Sequence, residues 1–286
     1  MTTRNMLTAI ALALALGSPG LAGAQFSFTT IDVPGSTLTA ADGNSTHEVA
    51  GEFDDADGNT HGFVLSNGQF TTIDFPGASF TSVNGISANG RLAGTYVTSR
   101  SYAFFWSKGA FTTLDPPGSI RSQGGFLNGQ GDVVATYRDA SNIRHCFVWS
   151  KGVYTTVDVP GSDPTIGPTC FGINDLGQVV GTYVDPDGNR HGFLLSGGIY
   201  TTLDYPGAVF TVTEGINNSG TVAGLYLGTD GTTHGFVLKD GVIYTAVDIP
   251  GSTFTEIYSI NAIGEIAGGY GDSADNEHGF VGAPAH

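Results

Sequence analysis

The chain has 286 residues, with 10 basic against 26 acidic side chains, a formal net charge of −16 and two cysteines. Charged residues make up 13% and hydrophobic ones 40%, which excludes both a disordered acidic tail and a lipid-embedded chain. This balance also argues against a nucleic-acid partner, because phosphate binding needs clustered Lys and Arg, while 44 glycines without a collagen triplet point to many turns.

The first segment reads as an address. Arg4, the apolar run over residues 6–16 and the small-residue site Ala22-Gly23-Ala24 have the layout of a secretory signal peptide. Residues 1–24 are therefore expected to be removed, with cleavage near Ala24, leaving residues 25–286 as a secreted periplasmic or extracellular domain. The apolar run is shorter than the roughly 20 residues that a membrane span needs, and no second such run follows. In an oxidising compartment Cys146 and Cys170 are free to pair, although their spacing alone does not show that the geometry fits.

The remaining chain repeats itself with a period of about 43 residues. Phe28-Thr29-Thr30-Ile31-Asp32-Val33-Pro34-Gly35 recurs from Phe70, Phe111, Tyr154, Tyr200 and Tyr244. A His-Gly-Phe phrase precedes each later copy, as at His61, His191, His234 and His278, with Cys146 in the glycine slot after His145 and Tyr102-Ala103 in the second unit. A third phrase, Gly85-Ile86-Ser87 or Gly215-Ile216-Asn217, lies between them. Each unit reads as four short strands. In the second, residues 80–86 form strand one and 91–96 strand two; the aromatic phrases form strands three and four across a tight turn such as Asn67-Gly68. The expected fold is all-β, a six-bladed β-propeller with four strands per blade. The chain opens on a strand-four phrase and closes on a strand-three phrase, so the N-terminal strand is expected to complete the last blade and close the ring.

Two-residue turns fix the register of strands three and four, and that register sets His61 opposite Asp74, His145 opposite Asp158 and His191 opposite Asp204. His234 faces Asp248 across a turn with one extra residue, and His278 faces Asp32 across the seam of the ring. These are expected to be structural His–Asp hydrogen bonds rather than one shared metal site, because equivalent positions in different blades diverge.

The phrases resemble the HAF-type extracellular repeat of bacteria, with His-Gly-Phe-Val-Leu-Ser, the aromatic-Thr-Thr strand and Gly-Ile-Asn-x-x-Gly-x-Val-x-Gly carrying the likeness across residues 25–286. Most copies depart from His-Ala-Phe, and Asp-x-Pro-Gly replaces that family's connection. The resemblance implies a bacterial exported protein and no particular reaction.

Strand order puts the strand-two-to-three and blade-to-blade connections on one side, rich in aspartate, with all three lysines at turns on the other. The expected function is a binding module for a glycan, cation or protein acting through this acidic face, as a monomer. Calcium is the one candidate ion, at Asp55, Asp57, Asp185 and Asp187, whose Asp-x-Asp-Gly-Asn phrases resemble the start of a calcium loop without its closing Glu. Function in a repeat protein sits where copies disagree, which selects Arg121, Asp163, Glu214, Glu256 and Tyr258 as ligand-binding candidates near the channel mouth. Glu214 and Glu256, in adjacent blades, are also the candidate acid and base of an alternative reading, a secreted hydrolase or lyase. A second alternative is a structural envelope protein without a small ligand.

Overall fold

The computed structural model describes residues 26–285, so the expected signal peptide over 1–24 lies outside the described residues. Within them every regular element is a strand. β1 (Phe26–Ile31) precedes a meander of β2 (Leu38–Asn44), β3 (Glu48–Asp54), β4 (Thr60–Ser66) and β5 (Gln69–Ile73). The second meander is β6 (Phe80–Ile86), β7 (Leu92–Val97), β8 (Ser101–Ser107) and β9 (Ala110–Leu114). The third is β10 (Arg121–Leu127), β11 (Val133–Arg138), β12 (Arg144–Ser150) and β13 (Val153–Val157). The fourth is β14 (Thr169–Ile173), β15 (Val179–Val184), β16 (Arg190–Ser196) and β17 (Ile199–Leu203). The fifth is β18 (Phe210–Ile216), β19 (Val222–Leu227), β20 (Thr233–Lys239) and β21 (Ile243–Val247). The last is β22 (Phe254–Ile260), β23 (Ile266–Gly271) and β24 (Glu277–Pro284), and β1 pairs antiparallel with β24, setting Phe28 opposite Gly282 and Ile31 opposite Gly279.

Turn chemistry sets the register. Ser66 pairs with Gln69, leaving Asn67 (φ 50°) and Gly68 (φ 74°) as the two residues of a type I′ turn, whose twist matches the flanking strands. Lys239 pairs with Ile243, so the corresponding turn of the fifth meander is one residue longer.

The sheets pack face to face through one residue of the aromatic phrase. Phe63, Phe104, Phe147, Phe193, Phe236 and Phe280 are each at most 1% exposed. Burial of each stabilises by about 1.5–3 kcal/mol, and the apolar clusters that Phe104, Phe147, Phe193, Phe236 and Phe280 join draw on two consecutive sheets. The residue before each Phe meets the first strand of the next sheet. A Cβ at Gly62 would stand 2.8 Å from Val83 Cγ2 and 2.7 Å from the Ile73 carbonyl, so a larger side chain is excluded there. Cys146 occupies the same slot in the third sheet, where it is disulfide-bonded to Cys170 of β14 with the two Cα atoms 5.7 Å apart.

First strands are innermost. β2 contacts both β6 and β22, and β6, β10, β14, β18 and β22 each contact the next in order. Asparagines at the ends of these strands bind sheet to sheet. Asn128 Nδ2 donates to the Asn174 carbonyl, Asn174 to Asn217, Asn217 to Asn261, and Asn261 to the Ser45 carbonyl, all at 3.0–3.1 Å. The last of these joins the final meander to the first, as does Asn44 Nδ2 on the Glu265 carbonyl at 3.0 Å.

Candidate functional site

One irregularity recurs in all six innermost strands. The pairing of strand one with strand two shifts register just before the Gly-Ile phrase, for example between Val83 and Gly85 and between Thr213 and Gly215. The same shift occurs in β2, β10, β14 and β22. A β-bulge re-aims the side chain it inserts. The bulged residues Asn84, Phe171, Glu214 and Tyr258 accordingly line one central cavity of about 70 Å³ bordered by all six first strands. Asp42 is the bulged residue of β2. These positions carry different residues within an otherwise repeated phrase.

Glu214 is the acidic residue in this lining, and further carboxylates lie close to it. Glu214 is 8% exposed and makes no side-chain hydrogen bond among the described residues; burial first, then the charge of Glu256, pushes its carboxyl well above the usual range. Asp42 is also raised, by burial and then by Glu52, Glu214 and Glu277, against a bond from Asn84. Tyr258 donates its hydroxyl to Glu256 Oε2 at 2.6 Å. Of the sequence-selected candidates, Glu214, Glu256 and Tyr258 thus come together. The other two lie elsewhere. Arg121 is the exposed first residue of β10, and Asp163 sits in the β13–β14 loop, where its Oδ1 accepts from the Thr165 hydroxyl at 2.6 Å and backbone N–H at 2.7 Å.

A larger cavity of about 390 Å³ opens beside the axis, across the first four sheets. Its polar lining includes Glu52, Ser82, Asn84, Gln123, Thr136 and Thr169, and its apolar lining Phe80, Phe126 and Phe171. Phe126 and Phe171 meet edge to face at 5.9 Å. Several hydroxyls are already committed: Thr95 Oγ1 accepts from Gly124 N–H at 2.7 Å and Thr136 Oγ1 from Cys170 N–H at 3.3 Å. Gln123 is exposed and its amide is free of protein partners among the described residues. Aromatic edges beside convergent hydroxyl and amide groups suit a ligand with apolar C–H surfaces and many hydroxyls. Sequence reasoning missed this cavity, because its lining comes from four repeats.

The recurring histidines sit at the outer strands. His61 Nδ1 lies 3.0 Å from Asp74, His145 Nδ1 2.8 Å from Asp158, and His191 Nδ1 2.9 Å from Asp204. His234 Nδ1 is 2.9 Å from Asp248 and His278 Nδ1 3.1 Å from Asp32. A second carboxylate, unforeseen from the sequence, faces each Nε2: Asp55, Asp139, Asp185, Asp230 and Asp272, at 3.3–3.4 Å. The signal was present, since four of these aspartates precede their histidine by six residues. Burial alone lowers each imidazole pKa, but the two carboxylates outweigh it and hold all five above 6.5. In the second meander Tyr102 replaces histidine, and Arg100, stacked 4.7 Å over its ring, binds Asp115 at 2.7 Å instead.

At the two candidate calcium loops the aspartates close their own turns. Asp55 Oδ1 accepts from the backbone N–H of Asp57 and of Asn59, each at 2.9 Å, and Asp185 Oδ1 does the same from Asp187 and Asn189. Bonds from Asn189 hold the Asp185 carboxyl down to about 2. The oxygens are spent on closing the turn and orienting histidine, and among the described residues no group of three or more His, Cys, Asp or Glu is placed to hold a metal ion. The aspartate-rich end also carries arginine. Arg100, Arg121, Arg138, Arg144 and Arg190 all stand at that same end of the sheets, because they begin or end the strands flanking the aspartate loops.

No described helix is long and apolar enough to cross a membrane. Neither a protein-family model nor a curated protein sequence matches the chain. Solved structures do. The chain is similar to a gluconolactonase from Xanthomonas campestris (TM-score 0.58, 9% identity, 98% of this chain and 100% of that one). It is similar to the β-propeller domain of the trilobed protease from Pyrococcus furiosus (0.53, 7%, 86% and 95%). It is also similar to a variant of the Aleuria aurantia lectin in complex with α-methyl-L-fucoside (0.51, 12%, 90% and 96%). At these identities the likeness is one of fold, and the chain has the all-β architecture of a β-propeller.

Proposed function

We propose that the chain is an exported, closed six-bladed propeller that binds a glycan in the cavity beside its axis. The pairing of β1 with β24 and the contacts of β2 with both β6 and β22 support closure of the ring. The leader-like residues 1–24 and the resemblance to HAF-type repeats support export from a bacterial cell. The observation that carries the binding reading is the 390 Å³ cavity itself. Its size falls in the range of small-molecule sites, and it offers Phe126 and Phe171 beside Gln123 and Thr169. The lectin complexed with a fucoside supports a glycan over other ligands of that size.

A hydrolase built on Glu214 and Glu256 has the gluconolactonase fold in its favour. Against it, Glu214 faces a space of about 70 Å³, room for a few waters and not for a sugar ring.

A glycan array probed with labelled protein is expected to give discrete hits. Gln123→Trp, which plugs the cavity from an exposed position, should abolish them while leaving the melting temperature unchanged. An array without hits, or hits that survive Gln123→Trp, would remove the binding reading. Turnover of a bound sugar that disappears in Glu214→Gln would establish the hydrolase instead.

A further inference from the structure

The arginines are distributed unlike anything else in the molecule. The third sheet carries one at the same level of three adjacent strands: Arg121 pairs with Arg138 across β10 and β11, and Arg138 with Arg144 across β11 and β12. Arg190, at the position of Arg144 in the next sheet, stands beside them. Like charges opposite one another in a sheet are destabilising. In a chain of net charge −16, carboxylates to relieve them are plentiful, yet none comes within 4.0 Å of any of the four among the described residues. Burial and then the neighbouring guanidinium of Arg121 hold Arg138 below its usual range; burial, then Arg138 and Arg190, do the same to Arg144.

Few of their donors are used. Arg138 Nη1 donates to the Asn142 carbonyl at 2.6 Å, and Arg144 Nε to the Ile166 carbonyl at 3.2 Å. Arg190 lies 5.4 Å over the ring of Phe210. The Arg121 side chain makes no hydrogen bond among the described residues. A guanidinium has five donors in a planar fork that matches an oxyanion, so this group is built for an anion that the protein itself does not supply. The repeat does not require it. The positions of Arg121, Arg138 and Arg144 are held by Phe80, Val97 and Ser101 in the second sheet and by Phe210, Leu227 and Thr233 in the fifth.

The cluster adjoins the cavity. Arg121 is two residues from Gln123, and Arg138 two from Thr136, so each shares a sheet face with a residue of the cavity wall about 7 Å along the strand. The carboxylate in the lining, Glu52, belongs to the first sheet, on the wall away from the arginines. We infer that Arg121, Arg138, Arg144 and Arg190 form an anion-recognition site that makes the cavity selective for an acidic glycan, its carboxylate or sulfate ester turned to the arginines. This rests on the glycan reading above and names the class of sugar.

The test is calorimetric titration of the full-length exported chain with trigalacturonate, with its methyl ester, and with a sulfated galactan trisaccharide. At least one charged probe is expected to bind about tenfold or more tightly than the neutral ester, through charge-assisted bidentate bonds, and which one does so identifies the anion. In Arg121→Ser/Arg138→Ser the preference should vanish while the melting temperature holds or rises, because a repulsive pair has been removed. A purely structural role for these arginines predicts a lower melting temperature and an unchanged preference. Equal binding of ester and charged probes, lost in Gln123→Trp, overturns the acidic-glycan inference and leaves the glycan reading standing. Binding of none of the three, with an array empty of hits, overturns both.

Discussion

Replacing the disulfide by the packing that other sheets use tests how the repeat is joined. Cys146 and Cys170 are 0% and 1% exposed and 24 residues apart. At the same junction between the first two sheets stand Gly62 and Val83, and between the fifth and sixth Gly235 and Ile257. Cys146→Gly/Cys170→Val therefore keeps a small residue against a branched one and removes only the covalent link. Closing a loop of this length restricts the unfolded chain by about 3.5 kcal/mol, and the swapped packing should change stability by less than about 1.5 kcal/mol. At about 2–4 °C per kcal/mol for a domain of this size, the melting temperature should fall by about 7–14 °C with the fold intact. Scanning calorimetry of both proteins without reductant reads this directly. Wild type in mild reductant should hold its melting temperature until unfolding exposes the buried sulfurs. A variant that melts within about 2 °C of wild type would refute the argument.

Stability should also fall between about pH 5.5 and 8.5. Five histidines have folded pKa values raised above 6.5, so their contribution is complete below that value and disappears as pH rises through the folded pKa. The raised Asp42 and Glu214 act in the same direction, since burying their charged forms costs more as pH rises. The lowered Asp55, Asp139, Asp185, Asp230 and Asp272 act oppositely, their contribution being lost only as pH falls below 3.8. A melting temperature as high at pH ~8.5 as at pH ~5.5 would contradict the histidine assignment. Asn174→Ala should cost about 1–3 kcal/mol, because it removes the inter-sheet donor to the Asn217 carbonyl, which keeps only its own turn bond from Gly220 N–H, and unties the turn at Leu176 and Gln178. Urea unfolding measures it, and a cost near zero would mean that the asparagine belt does not bind the sheets together.

Much of this was legible from residues close in sequence. A two-residue turn such as Asn67-Gly68 dictates which residues of strands three and four oppose, so the pairing of His61 with Asp74 followed from spacing alone. The extra residue near Asp240-Gly241 followed for the same reason, whereas strand two of the second unit, expected over 91–96, runs from Leu92 to Val97. The second aspartate was readable too at four of the five histidines, six residues upstream, but at Asp55 and Asp185 the Asp-x-x-Gly-Asn phrase equally resembles the start of a calcium loop, and the contacts with His61 and His191 became visible only in the fold.

Other features belong to the packed molecule. Hydrophobic alternation specifies which face of a strand is buried, but it does not specify where a bulge turns one side chain toward the axis, so Glu214 and Tyr258 could be placed near the centre without their surroundings being known. The disulfide needed the distance between adjacent sheets, and the cavity needed four sheets at once. The sequence by itself determined the repeats, the strands and the hairpin registers, because those depend on contacts within one unit. Tertiary structure alone decided which side chains of different units face each other, and so the site, because residues more than 40 positions apart are brought together by the angle and spacing of sheets rather than by any local pattern.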